Sequence, residues 1–212
     1  MSFLISLEGN IGSGKSTLLK ELSSKYVVVQ EDIANWIQCN DHNLLEYYYT
    51  DKTKHSFLFQ SYVLMSRISQ MMETVQAHPN QPIICERCHL SDLQIFVKQL
   101  QERKELNSLE YDVYQKMHNM ISTLISIPVK GIIYNQTSPS VCLSRIHKRN
   151  RQGENLITEE YILQLHNKHE SFIQECHLPI FVIDGNIDET NQLERSRILT
   201  SINDFVKSFV VE

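Results

Sequence analysis

The sequence predicts an α/β protein in which a five-stranded parallel sheet is flanked by helices. Three observations lead there. Five short apolar runs recur along the chain, longer helix-period patterns separate them, and a glycine-rich motif follows the first run. The runs lie at 3–7, 26–30, 82–85, 131–135 and 180–183, and each reads as a strand buried on both faces. Helical patterns cover about 15–24, 54–75, 91–103, 109–125, 139–150, 158–176 and 191–209. Every strand is thus followed by at least one helix, which is the crossover that parallel pairing needs. Such sheets bind ligands past the carboxyl ends of their strands, so the residues just after each run are the candidates for function.

At 212 residues and 42% hydrophobic, the chain can bury a sufficient core as one domain, 1–212. A net charge of −5 argues against a nucleic-acid binder that works by broad phosphate neutralisation. Five cysteines, odd in number and scattered, suit a reduced intracellular protein better than a disulfide framework. No apolar run reaches the length of a membrane span, and "MSFLISLEGN" has no basic region ahead of its first apolar run. The expectation is a cytoplasmic protein without a membrane or nucleic-acid partner.

After the first strand comes "GNIGSGKS", Gly9 to Ser16, a full G-x-x-x-x-G-K-[ST] motif. Across Gly9, Asn10, Ile11, Gly12, Ser13 and Gly14, backbone N–H groups can curl around phosphate oxygens at a helix N-terminus, whose dipole also favours anions. Lys15 would reach the β- and γ-phosphates, Ser16 would ligate Mg²⁺, and Thr17 completes the phosphate-binding stretch. Its position between an apolar strand and a helix sets the motif apart from an ordinary glycine-rich turn. The chain therefore reads as a P-loop NTPase fold that binds ATP or another nucleoside triphosphate together with Mg²⁺.

Where the γ-phosphoryl group goes depends on what else faces the crevice. Glu31 follows the second strand at its carboxyl end, where a carboxylate orients an acceptor hydroxyl or takes its proton; a solvated loop acid is the other reading. In "HSFLFQSYVLMSRISQMM" apolar residues cover more than one face, so this helix is buried on several sides. Gln60, Val63 and Arg67 share one stripe of it. A core-facing arginine needs an anion, and Asp92, after the third strand, is the expected partner. Phe96, four residues on, would face Phe59 as a second aromatic wall. An amide, an ion pair and two rings suit a flat, hydrogen-bonding ligand such as a nucleobase. A buried pair that only fixes helix register is the equally open alternative.

Three further stretches offer a choice of reading. In "CERCHLSD", Cys85 and Cys88 form a C-x-x-C, yet Glu86 and Arg87 between them end a strand where α/β enzymes set catalytic groups. "SRIHKRNRQGE" puts Arg145 and Arg149 on one helix face with Arg151 just beyond, which in an acidic P-loop protein reads as an arginine-rich lid at about 145–156. "NKHE", 167–170, approaches the guanine-reading Asn-Lys-x-Asp but lies within a helical pattern and ends in Glu. His147, His166 and His169 have no second set of ligands and read as surface or packing residues.

In their order, these motifs resemble the deoxynucleoside kinases, the family that includes deoxycytidine, deoxyguanosine and mitochondrial thymidine kinases. The similarity runs from "LEGNIGSGKST" to "YILQLHNKHESF". "EDIANW" resembles the family's Glu-Pro-Val-x-x-Trp, and "FLFQSYVLMSR" its Phe-Gln-Thr/Ser-Tyr helix. "CERCHLSD" resembles its Glu-Arg-Ser segment, and "RIHKRNR" its Arg-x-x-x-Arg-x-Arg lid. Asp32 stands where the family usually has Pro, and Cys88 where it has Ser; neither change removes a catalytic group.

The resemblance implies transfer to a deoxynucleoside 5′-hydroxyl, with Glu31 taking its proton and Arg87 holding Glu31 and the hydroxyl in place. Glu86 would join Ser16 at Mg²⁺, and Gln60 would pair with the base edge. Trp36 and Phe96 would pack around the ring, with Leu45, Tyr48, Phe59, Val63, Arg67 and Asp92 completing the nucleoside pocket. Tyr49 and Glu154 would grip the sugar 3′-hydroxyl, while Arg145, Arg149 and Arg151 form the lid. The loop "DGNID", with Asn186 and Asp188, would embrace the donor base. The family's habit further implies a homodimer through the helices near 54–75 and 109–125. Because Arg67 and Asp92 are both kept, as in the deoxycytidine and purine kinases, those nucleosides are expected ahead of thymidine. A nucleoside monophosphate kinase would instead need extra cations for its acceptor phosphate. A catalytically silent P-loop relative is the third reading, against which stand Lys15, Glu31, Glu86 and Arg87.

Overall fold

The computed structural model describes residues 2–124, 128–151, 154–188 and 190–210. Its strands are β1 (Phe3–Glu8), β2 (Val27–Val29), β3 (Pro82–Glu86), β4 (Val129–Gln136) and β5 (Ile180–Asp184). All pair in parallel, in the order β2-β3-β1-β4-β5. β1 is central and buried along its whole length, and the winding reverses on either side of it, which makes its carboxyl end the switch point where such sheets bind ligands. Leu7 pairs with Glu86 on one side and Ile133 on the other, so the ends of β1, β3 and β4 are level. That register sets Gly9, Arg87 and Asn135 beside one another.

Strand periodicity divides the core. Phe3, Ile5 and Leu7 point to one face, against Leu18, Leu19, Ile202 and Val206 of α1 (Lys15–Leu22) and α10 (Gln192–Lys207). Leu4 points to the other face, with Ile83, Cys85 and Met71 of the long α4 (Lys52–Ala77). Burying each large apolar side chain here contributes about 1.5–3 kcal/mol. Also on the outer layers lie α7 (Ser108–Leu124), α8 (Pro139–Arg149) and α9 (Glu159–Glu175). Among the described residues, no helix is long and apolar enough to cross a membrane.

The structure departs from the sequence expectation in two places. Two short helices, α2 (Ile33–Ile37) and α3 (Leu44–Thr50), fill the stretch between β2 and α4, where none was expected. The second had a readable start: Asn43 accepts the Glu46 N–H at 3.0 Å, an N-cap with its glutamate three residues on. The expected single helix over 91–103 is broken into α5 (His89–Ser91), a π-helical segment (Asp92–Val97) and α6 (Lys98–Glu102). A π turn widens the backbone spacing and often accompanies functional sites. Asp92 and Phe96 both lie on this segment, so their common direction does not rest on α-helical spacing. Residue 125 of the expected fourth helix and residues 152–153 of the lid lie outside the described residues.

Candidate active site

A cavity of about 800 Å³ opens beyond the carboxyl ends of β1 and β3, the size of a cleft that encloses small molecules. Its donor end is the P-loop. Gly12 and Gly14 hold φ of 77° and 94°, left-handed values that favour glycine, and a Cβ on Gly12 would lie 2.4 Å from the Cys142 carbonyl oxygen. Ile11, Gly12, Gly14, Lys15, Ser16 and Thr17 line the cavity. Gly9, Asn10 and Ser13 stand behind it and hold the loop in place. Asn10 Nδ2 donates to the Ile162 carbonyl at 2.9 Å, and the Ser13 carbonyl accepts from Asn135 Nδ2 at 2.7 Å and Arg145 Nη1 at 3.0 Å. Lys15 Nζ donates to the Gly9 and Asn10 carbonyls at 3.1 and 2.9 Å; burial, aided by Arg87, lowers its pKa to about 8. Ser16 Oγ lies 3.0 and 3.1 Å from the two Glu86 carboxylate oxygens.

The lid arginines lie over this end. Arg145 donates to the carbonyls of Ser13, Gly185 and Ile187, tying α8 to the P-loop and to the loop after β5. Arg149 makes two bonds to the Glu154 carboxylate, at 2.7 and 2.6 Å, and Arg151 adds one at 3.2 Å. Asn186 and Asp188 also line the cavity; Asn186 Oδ1 accepts the Ser138 N–H, and Asp188 Oδ1 caps Thr190.

The acceptor end is organised by charge. Glu31 Oε1 accepts from Arg67 Nη2 at 2.9 Å and from Arg87 Nε at 3.1 Å. Arg67 also donates through Nε to Asp92 at 2.9 Å and through Nη1 to the Glu86 carbonyl at 2.9 Å. The expected Arg67–Asp92 pair is therefore present, and it extends to Glu31, which the sequence reading had not joined to it. Burial opposes ionisation of Glu31, but Arg87, Arg67 and Lys15 outweigh it and hold the carboxyl down at about 2. Burial pushes Asp92 up to about 6, with Arg67 working against the rise. Arg87 has φ 64°, a left-handed backbone that costs a non-glycine residue about 1–2 kcal/mol. Bonds at both ends hold it there: its N–H donates to the Leu7 carbonyl at 3.1 Å, and Nη1 donates to the Gly9 carbonyl at 2.8 Å.

Rings close the remaining walls. Phe59 stacks on Tyr48 with centroids 4.4 Å apart and meets the edge of Trp36 at 5.7 Å. Phe96 lies 4.7 Å from the Arg87 guanidinium carbon. Leu45, Tyr49, Gln60 and Val63 complete the lining, and Glu154 lines it from the lid. The Glu154 charge contributes, after burial and Tyr161, to raising the Tyr49 phenol well above its usual range.

Several residues here escaped the sequence reading. Glu8 and Asn135 lie at the carboxyl ends of β1 and β4, where the rule that selected Glu31 would have found them. Glu8 is fully buried; its Oε1 accepts from Ser6 Oγ at 2.6 Å, and its Oε2 lies 4.0 Å from Arg87 Nη1. Tyr161, Lys148 and Arg195 also line the cavity. Of the three histidines read as surface or packing residues, His147 is exposed, His166 is half-buried 3.9 Å from Glu170, and His169 is fully buried beside Arg87. "NKHE" lies inside α9, and Glu170 is engaged with Tyr134 and Gln136. The C-x-x-C thiols are sealed: Cys85 Sγ bonds the Ile5 carbonyl at 3.6 Å, and burial pushes its pKa up to about 12.

A P-loop with a hydroxyl and a carboxylate at its rear, opposite an aromatic pocket floored by arginine–carboxylate pairs, marks a P-loop phosphotransferase. The deoxynucleoside kinase family model matches residues 5–207, and the chain belongs to that family. It is a deoxynucleoside kinase, an enzyme that uses a nucleotide phosphate donor. Among its relatives, a probable deoxycytidine kinase of fowlpox virus (strain NVSL) is 33% identical, over 98% of this chain and 89% of that one. Human deoxycytidine kinase is 34% identical over 90% of this chain and 86% of its own, and deoxycytidine kinase 2 of Gallus gallus is 32% identical over 96% and 90%.

Proposed function

We propose that the chain transfers the γ-phosphoryl group of ATP·Mg²⁺ in line to the 5′-hydroxyl of a deoxynucleoside, with deoxycytidine and the purine deoxynucleosides preferred to thymidine. The carrying observation is the shared carboxylate: Arg67 and Arg87 both bond Glu31 Oε1, which leaves Oε2 to accept the hydroxyl proton. A carboxylate held near 2 is a weak base, so its first task is orientation. Phosphoryl transfer is loose and the proton leaves late, so orienting the oxygen matters more than removing its proton early. Arg87 fixes Glu31 and, through its remaining donors, the 5′-oxygen. Both acceptor-side arginines are paired with carboxylates, which suits a neutral hydroxyl better than the acceptor phosphate of a nucleoside monophosphate kinase.

The metal corner fits Mg²⁺. Ser16 Oγ and the Glu86 carboxylate offer hard oxygens within 3.1 Å of each other, and Mg²⁺ is held by one or two protein groups plus phosphates and waters. When bound, Mg²⁺ would neutralise negative charge on the triphosphate. Lys15 would leave its carbonyl partners for phosphate, and Arg149 and Arg151 would divide their donors between Glu154 and the triphosphate. Arg145 is committed in its plane to three carbonyls, so it would meet the donor base by stacking.

At the base, Gln60 would bind the edge, with Arg67 and Asp92 behind it. The fowlpox, chicken and human relatives named for deoxycytidine support the pyrimidine part of this preference. Tyr49 and Glu154 would hold the sugar 3′-hydroxyl. Exposed Leu58 and Met65 on α4, with Leu109, Met120 and Leu124 on α7, give both helices uncovered apolar surface, which supports a homodimer there. Sedimentation equilibrium is expected to return twice the chain mass of 24.8 kDa; a monomer at micromolar concentration removes that part. The free thiols, of which those of Cys85, Cys88 and Cys142 are buried, suit a reducing compartment, and a cytoplasmic setting is part of the proposal.

Two kinetic measurements test the core of it. Glu31→Gln is expected to lower kcat at least ~100-fold with the nucleoside KM within about threefold, and a variant that keeps more than about a tenth of wild-type turnover would take Glu31 out of this role. In a panel of the four deoxynucleosides with ATP, thymidine is expected to have the lowest kcat/KM. Finding it highest would overturn the assigned preference.

A further inference from the structure

We infer that His169 is a positioning residue for the reaction: as a neutral imidazole it accepts a hydrogen bond from Arg87 and so fixes the guanidinium that holds Glu31. His169 is fully buried on α9, with Nε2 3.3 Å from Arg87 Nη1 and Nδ1 2.7 Å from the Leu165 carbonyl. Two independent partners dictate one tautomer. A carbonyl oxygen can only accept, so Nδ1 carries the proton; an arginine can only donate, so Nε2 must present its lone pair. Neither contact survives in the other tautomer, and a protonated ring would set a second cation against Arg87. Burial and the charge of Arg87 both keep the ring neutral, well below its usual pKa.

The ring is also sterically fixed. Tyr134 stacks on it with planes 12° apart at 6.3 Å, and Phe96 meets it edge-on at 6.2 Å, the same Phe96 whose face lies under Arg87. Arg87 Nη1 therefore has two acceptors, the Gly9 carbonyl and His169, while Nε goes to Glu31. With the Gly9 carbonyl alone, the guanidinium could rotate about that bond and carry Nε off Glu31. His169 supplies the second point that prevents the rotation. α9 also receives Asn10 of the P-loop through the Ile162 carbonyl, so one helix registers both the donor loop and the acceptor arginine. His169 lies outside the cavity lining, so it acts through Arg87 and not on substrate.

This inference rests on the kinase reading above, and the test separates the two. Met and Gln are close in shape, but only Gln offers an acceptor near the position of Nε2. With ATP and deoxycytidine, His169→Met is expected to lose about 10–100-fold in kcat with both KM values within about threefold. His169→Gln is expected to regain at least about a third of wild-type kcat at a similar Tm. Equal turnover in the two variants, or His169→Met within about twofold of wild type, overturns the role. Wild-type protein without kinase activity would instead overturn the kinase reading. If neither variant folds, ¹⁵N spectra of the wild-type imidazole decide: a protonated Nδ1 with a bare, hydrogen-bonded Nε2 supports the role, and the Nε2–H tautomer or an imidazolium overturns it.

Discussion

Two buried guanidiniums sharing one carboxylate oxygen are the constraint on which the rest of this molecule depends. Arg67 comes from the long helix α4, Arg87 from the turn after β3, and Glu31 from the loop just after β2. Removing three charges from water is costly, and attraction between them returns that cost only when every donor and acceptor is met. Here Asp92 and the Glu86 carbonyl accept further Arg67 donors, and the Gly9 carbonyl and His169 accept from Arg87 Nη1. The cluster is thus held by protein groups alone, the kind of fixed charge that limits reorganisation during a reaction. It also explains the strained backbone at Arg87, which the surrounding bonds hold in place.

The donor side follows a parallel logic with neutral groups. The P-loop hangs from three elements: α9 through Asn10, β4 through Asn135, and α8 through Arg145. Each tie ends on a backbone carbonyl; Asn10 and Asn135 donate from uncharged amides, and Arg145 from a guanidinium that also reaches the loop after β5. The lid arginines beyond it are held differently. Arg149 and Arg151 are partly exposed and gathered on a single carboxylate, Glu154.

Much of this was legible because the chemistry repeats local rules. The P-loop declares itself by spacing, and the Arg67–Asp92 pair follows from a core-facing arginine needing an anion. The five strands fall within two residues of their expected places because apolar runs this short, alternating with longer helical patterns, favour buried strands. What was not legible depends on long-range geometry. Glu31 and Arg67 stand 36 residues apart, and nothing in either segment announces the other. The π turn that aims Asp92 and Phe96 has no pattern of its own in "DLQIFV". His169 is hidden for a similar reason: a histidine on an apolar helix face looks like filler until the partner of its second nitrogen is seen. The resemblance to the deoxynucleoside kinases supplied roles for most of the lining residues but not for those behind them, such as Glu8 and His169.

The central claim is electrostatic: Glu31 stays ionised in the folded protein because Arg87, Arg67 and Lys15 outweigh its burial. The most direct measurement is the carbon shift of the Glu31 side-chain carboxyl across pH, in protein labelled with ¹³C-glutamate and assigned with Glu31→Gln. The sign is fixed by the lowered pKa: the charged form persists in the fold below the range in which an exposed glutamate, near 4.3, takes up its proton. The account predicts a carboxylate shift that stays flat from about pH 8 down to about pH 4. A titration midpoint at or above the ordinary glutamate value would contradict it.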